Sequence, residues 1–208
     1  MNTGTYTGFF AVIEGPNGVG KSSIVELIKQ TLECGGTNTI TTREPTESAL
    51  GQWIRTNQGN VQGRTLACLV AANRYEHIES IIFPALECNT VVLTDRYLAS
   101  SLVYQIADGV HRDFVWAVNS ACLVPDMTIC LLASPELIAK RMANRPTRTR
   151  FEQSISPHEE CALYSQACEY LQERGWQVEV QENSDGNAAV IAKLIADRIL
   201  RIRADRNG

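Results

Sequence analysis

Gly15-Pro16-Asn17-Gly18-Val19-Gly20-Lys21-Ser22 follows the spacing G-x-x-x-x-G-K-[ST], in which backbone amides, an ammonium and a hydroxyl can converge on one anion. Glycines let successive N–H groups turn toward a phosphate, and a helix opening near Gly20 adds the positive end of its dipole. Lys21 then reaches β- and γ-phosphates, while the hydroxyl of Ser22, beside Ser23, can ligate Mg²⁺. A glycine-rich turn ahead of an ordinary helix is the plainer reading of the same letters. The flanks argue against it. Residues 9–13 are a continuous apolar run, as expected of a strand covered on both faces, and Ile24, Leu27, Ile28 and Leu32 recur at helical spacing.

The elements that must position this loop alternate strand and helix along the chain. Strands are expected at 9–13, 39–42, 91–94, 127–132 and 176–180, with helices from Ser22 onward and over 47–55, 64–87, 99–105, 112–122, 134–144, 157–173 and 188–202. The long 64–87 segment should kink or end near Pro84. This alternation implies an α/β fold of three layers, a parallel sheet with helices on both faces, and a single domain over residues 1–208. Ligands of such sheets gather beyond the carboxyl ends of the strands.

Residues directly after strands are therefore the next candidates. Asp95 is placed to hold Mg²⁺ beside Ser22, or else to pair with Arg96. Arg74 and Arg96 can each fork onto a phosphate, or form surface ion pairs. Ser100, Ser101, Tyr104 and Gln105 could face a base, and read equally as core or capping residues. The basic segment 145–150, with Arg148 and Arg150, suits a mobile lid over about 145–152 that closes on a transferring phosphoryl group; a solvated basic loop is the alternative.

The 208-residue chain is 44% hydrophobic and 20% charged with a net charge of −4, which gives no reason to expect nucleic acid as a partner. No eighteen-residue apolar run is present, so no membrane span is expected. Seven cysteines without zinc spacing read as free thiols, mostly buried or half-buried, in a cytoplasmic protein.

Taken together, Gly15 to Ser22, Thr42-Arg43-Glu44-Pro45, Ala71-Ala72-Asn73-Arg74, Asp95-Arg96-Tyr97 with Ser100-Ser101 and Tyr104-Gln105, Pro125-Asp126 and Arg150-Phe151-Glu152 resemble the thymidylate kinase family, in order and over most of the chain. The resemblance implies a P-loop nucleoside monophosphate kinase with a five-stranded parallel sheet. ATP with Mg²⁺ would phosphorylate a deoxynucleoside monophosphate, most simply dTMP. It also implies that Asn17 touches the sugar and that Arg74 and Arg96 hold the acceptor phosphate. Pro45, Val70, Ser100, Ser101, Tyr104 and Gln105 would line the acceptor site, and a homodimer would form through long helices, a role open to 64–87. The family usually carries Asp or Glu at Asn17, Phe at Val70 and G-G-T at Thr46-Glu47-Ser48. Those departures point to an acceptor related to dTMP but altered in base or sugar.

Three other readings share the phosphate loop, one of them a non-catalytic nucleotide-binding module that would leave the lid arginines without a role. A GTP-driven switch should show N-K-x-D, which is absent, and the only D-x-x-G is at the tail, Asp205 to Gly208. A kinase of a nucleoside or other small metabolite would recruit Asp95 or Glu14 as a base.

Overall fold

The computed structural model describes residues 6–143 and 150–207. Strands β1 (Phe9–Glu14), β2 (Thr39–Arg43), β3 (Val91–Asp95), β4 (Met127–Leu132) and β5 (Val178–Glu182) form one parallel sheet in the order β2-β3-β1-β4-β5. Sequence pattern and position agree. The three central strands are nearly continuously buried, whereas β2 and β5 at the edges alternate buried and open.

Helices α1 (Lys21–Cys34) and α10 (Ala188–Asn207) cover one face, packing Ile24, Ile28 and Leu32 with Ile191, Ile195 and Ile199 against β1, β3 and β4. The other face receives α3 (Gly63–His77), α5 (Leu98–Ala107) and α9 (Pro157–Gln172). Shorter helices α2 (Ala49–Asn57), α4 (Phe83–Glu87), α6 (Arg112–Val118), α7 (Pro135–Ala143) and α8 (Arg150–Ser154) connect these layers. The expected lid residues 144–149, Arg148 among them, lie outside the described residues.

Several boundaries differ from expectation for identifiable reasons. The long helix neither ends nor breaks sharply at Pro84. A π-helical turn at Ile78–Ile82 joins α3 to α4, with the Phe83 amide reaching back to the Ile78 carbonyl. Widening the helix there accommodates a proline ring that would collide with the carbonyl four residues earlier. Helix α6 stops at Val118 rather than 122, because the Asn119 side chain turns back to the Val115 carbonyl at 2.8 Å. Strand β5 begins two residues later than expected: Trp176 closes a turn onto the Leu171 carbonyl and packs its ring 6.3 Å from Tyr97. All seven cysteines are free as expected, but Cys34, Cys68 and Cys88 are exposed. An apolar sequence neighbour on a helix does not fix which face a thiol takes.

Gly51 of α2 packs directly on the chain after β2, where a Cβ would stand 2.1 Å from the Thr46 carbonyl oxygen. Gly51→Ala should therefore cost about 1–3 kcal/mol of stability by overpacking. Urea unfolding with an unchanged midpoint would contradict this packing.

Candidate functional site

Glu14 ends β1 and Gly15 begins the loop in a conformation few side chains tolerate: its φ is 136° and a Cβ would meet the Leu131 carbonyl oxygen at 2.2 Å. Gly20, at φ 102°, delivers the chain into α1. Lys21 folds back over the loop and donates to the carbonyls of Gly15 at 2.9 Å and Pro16 at 2.8 Å. Burial, and then the nearby Arg96 charge, hold its ammonium down to about 7, opposed by Asp95, Glu160 and Glu14. The Ser22 hydroxyl donates to Asp95 Oδ2 at 2.7 Å, while Asp95 Oδ1 is buried with no hydrogen-bond partner among the described residues. Val19 is fully buried, and its carbonyl accepts from Asn183 Nδ2 at 2.6 Å and from Arg141 at 3.1 Å.

A cavity of about 460 Å³ opens between this loop and α3, α5 and α8. It collects most of the residues chosen from sequence: Asn17, Gly18, Gly20, Lys21, Ser22 and Ser23 from the loop, Asp95 and Arg96 after β3, Ser100, Ser101, Tyr104 and Gln105 from α5, and Pro45, Val70 and Arg74 at its far side. Gln105 is 4% exposed and its Oε1 has no partner among the described residues. Phe151 and Glu152 of α8 also line the cavity, with the Phe151 ring 5.0 Å from that of Tyr104. Arg150 does not line it; Nη1 pairs with Asp108 at 2.6 Å, and Nε and Nη2 are buried without partners among the described residues.

The two arginines that sequence treats alike are physically unlike. Arg74 is 1% exposed and bonded through Nε and Nη2 to Glu44 Oε2, at 2.9 and 2.7 Å, through Nη1 to Asn119 Oδ1, and through Nη2 to the Tyr97 carbonyl and Ser101. One Nη1 proton remains, so the fork expected to grip a phosphate is occupied by Glu44, which His77 also contacts at 3.1 Å. Arg96 instead bonds only neutral oxygens: Asn17 Oδ1 at 2.6 Å from Nη2, and Ser100, Tyr104 and Tyr164 hydroxyls at 3.2, 3.0 and 2.9 Å from Nη1. Among the described residues no carboxylate lies in ion-pair contact with it, so its charge is not cancelled locally.

Glu14, weighed from sequence as a possible base, is fully buried and does not line the cavity. It accepts from the Tyr97 and Ser100 amides at 2.8 and 3.0 Å and from the Ser100 hydroxyl at 2.6 Å, fixing the turn after β3. Burial pushes its carboxyl upward against those bonds. Sequence reasoning missed Asn183, Arg141 and Glu160. Asn183 follows β5 and was within reach of the strand-end rule had β5 been placed two residues later. Arg141 and Glu160 arrive on helices whose approach no local spacing announces.

A P-loop sequence at the carboxyl end of β1, with an arginine of uncancelled charge bonded to its Asn17 at 2.6 Å, marks a P-loop nucleotide kinase. A family model described as Thymidylate kinase matches residues 13–189. The chain is 42% identical over 156 residues to a thymidylate kinase of Clavibacter sepedonicus, covering 70% of this chain and 72% of that protein. It is 37% identical over 156 residues to a thymidylate kinase of Bifidobacterium longum, covering 68% and 75%. With a probable thymidylate kinase of Thermococcus gammatolerans it shares 35% over 159 residues, 71% and 76% of the two chains. The chain belongs to the thymidylate kinase family.

The Arg74–Glu44 pair yields a stability test. Arg74→Met would leave a buried carboxylate without its partner and should cost about 3–5 kcal/mol in urea unfolding. A cost below about 1 kcal/mol would show that the pair does not anchor the chain after β2.

Proposed function

We propose that this chain transfers the γ-phosphoryl group of ATP to the 5′-phosphate of a deoxynucleoside monophosphate, dTMP in the first instance. One observation carries the reading. A single cavity joins the phosphate loop to the uncancelled Arg96 and to the Gln105 amide oxygen, which has no partner among the described residues, in a member of this family. The donor phosphates would lie on the loop amides from Gly18 to Ser23. Buried Asp95 Oδ1, lacking a partner beside the Ser22 hydroxyl, suits a divalent cation. Mg²⁺ held by Ser22 and Asp95 would supply neutralisation of the phosphate charge.

The remaining work falls to side chains. Lys21 leaves the Gly15 and Pro16 carbonyls for the phosphates, and Arg96 draws the acceptor phosphate toward the loop. An acceptor oxygen attacks the γ-phosphorus as the bond to the β–γ bridging oxygen breaks and ADP departs. The acceptor phosphate, with a second pKa of about 6, is already ionised near neutrality, so neither Asp95 nor Glu14 is needed as a base. Arg148 and Arg150 are the lid cations of this reading. Pro45, Val70, Ser100, Ser101 and Tyr104 frame the acceptor, and Val70 leaves room for a pyrimidine altered from thymine. The same reading takes the chain as one kinase domain in the cytoplasm, paired as a homodimer through α3 and α4, where Ile81 is exposed on the joining turn.

ATP consumption with Mg²⁺ across a panel of nucleoside monophosphates, with Lys21→Ala as control, tests the proposal. Turnover of dTMP or a related pyrimidine nucleotide, lost by at least about a hundredfold in the variant, is expected from removing a transition-state cation. Activity only on unphosphorylated acceptors would refute it.

The Lys21 environment adds a pH signature. Its ammonium is held to about 7 in the ligand-free protein, so above that pH it is largely neutral. Polyphosphate favours the charged form. ATP binding should therefore take up to about one more proton at about pH 8 in the wild type than in Lys21→Met, and the difference should vanish near pH 6, where Lys21 is already charged. Calorimetry in buffers of different ionisation enthalpy reads this; an equal difference at both pH values would exclude it.

A further inference from the structure

A carboxylate outside the cavity lining stands directly behind the loop. Glu160, in the first turn of α9, is 4% exposed. Its Oε1 accepts from the Asn17 backbone amide at 3.0 Å, from Asn17 Nδ2 at 3.0 Å and from the Tyr104 hydroxyl at 2.5 Å. The second Nδ2 proton goes to the Tyr104 oxygen at 3.0 Å. With both protons committed, Asn17 Oδ1 is turned onto Arg96 Nη2 at 2.6 Å. Reversing the amide would set its oxygen against the Glu160 carboxylate and its NH₂ against a guanidinium, unfavourable at both ends.

We propose that Glu160 is a positioning residue of the acceptor site: its carboxylate fixes the orientation of Asn17, and Asn17 holds Arg96 where the acceptor phosphate arrives. The proposal rests on the kinase reading above. It explains how a neutral residue serves at position 17, since the negative charge stands one layer behind, on α9. The geometry makes the two residues interchangeable as a pair. Asn17→Asp alone sets two carboxylates in contact, and Glu160→Gln alone removes the charge that selects the amide orientation. Together the substitutions keep one carboxylate and one amide in the same contact, with the carboxylate now on the loop and able to accept directly from Arg96.

A double-mutant cycle in the full chain, reading KM for dTMP, KM for ATP and kcat, decides the matter. Each single variant should raise KM for dTMP about tenfold, the scale of one charge-assisted hydrogen bond, with KM for ATP changed less than about twofold. The double variant should return to within about threefold of wild type, far from the roughly hundredfold loss of independent sites. Additive losses, or equal losses toward ATP and dTMP, would overturn the proposal and leave Glu160 as packing support only. If Glu160→Gln does not fold, the double variant carries the test alone: KM for dTMP near wild type supports the pairing, and a rise of about tenfold or more overturns it. A wild-type protein inactive on every nucleoside monophosphate would refute the kinase reading itself, before any variant is compared.

Discussion

Arg96 is the constraint on which the site depends. Its backbone lies at φ 76°, in the left-handed region that an arginine rarely takes, and its amide is pinned to the Ile13 carbonyl at 2.9 Å. That conformation turns the chain from β3 into α5 and sets the guanidinium in the cavity lining beside the loop. Three separate elements then hold it through neutral oxygens: the loop through Asn17, α5 through Ser100 and Tyr104, and α9 through Tyr164. A buried charge is tolerable only when it is compensated. Here the compensation is dispersed, with Asp95 and Glu14 near but not in contact, so the cation is stabilised without being neutralised. An anion entering the cavity meets a charge that no ion pair has to release first.

Arg74 shows the opposite solution with the same side chain. Glu44, immediately after β2, takes its fork, and Asn119, Ser101 and the Tyr97 carbonyl take most of the rest. The pair ties the end of β2 to α3 and to the turn after β3, which places the wall formed by Pro45 and Val70. Sequence could not separate the two arginines, because both stand near motif letters and the distinction lies in which acids fold against each. The same limit hid Glu160, whose helix reaches the loop only in three dimensions.

What was legible follows from how locally it is encoded. Central strands announce themselves because burial on both faces leaves no polar alternation, and the loop because positive φ at Gly15, Gly18 and Gly20 demands glycine. The strand-end rule then found Asp95 and Arg96. Edge strand β5 was misplaced by two residues because its alternating pattern is weak and Trp176, apolar and buried, imitates a strand residue while closing a turn. Helix ends set by side-chain feedback, as at Asn119, were equally invisible to periodicity.

Charge balance also explains why Arg150 rests where it does. Lys21 and Arg96 already face one cavity, and each disfavours the other: Arg96 is second only to burial among the influences that lower the Lys21 ammonium. Asp95, Glu160 and Glu14 offset this, yet Lys21 still turns to loop carbonyls for its bonds. A third cation placed there without phosphates would meet repulsion in a medium that screens poorly. Asp108, at the end of α5, offers Arg150 a partner outside that field. In the kinase reading proposed above, polyphosphate would reverse the balance, since several negative charges would then face two cations, and the two buried donors of Arg150 that lack partners among the described residues would gain acceptors by moving inward. Under the proposed kinase reading, electrostatics would therefore order the events: phosphates first, lid cations afterward.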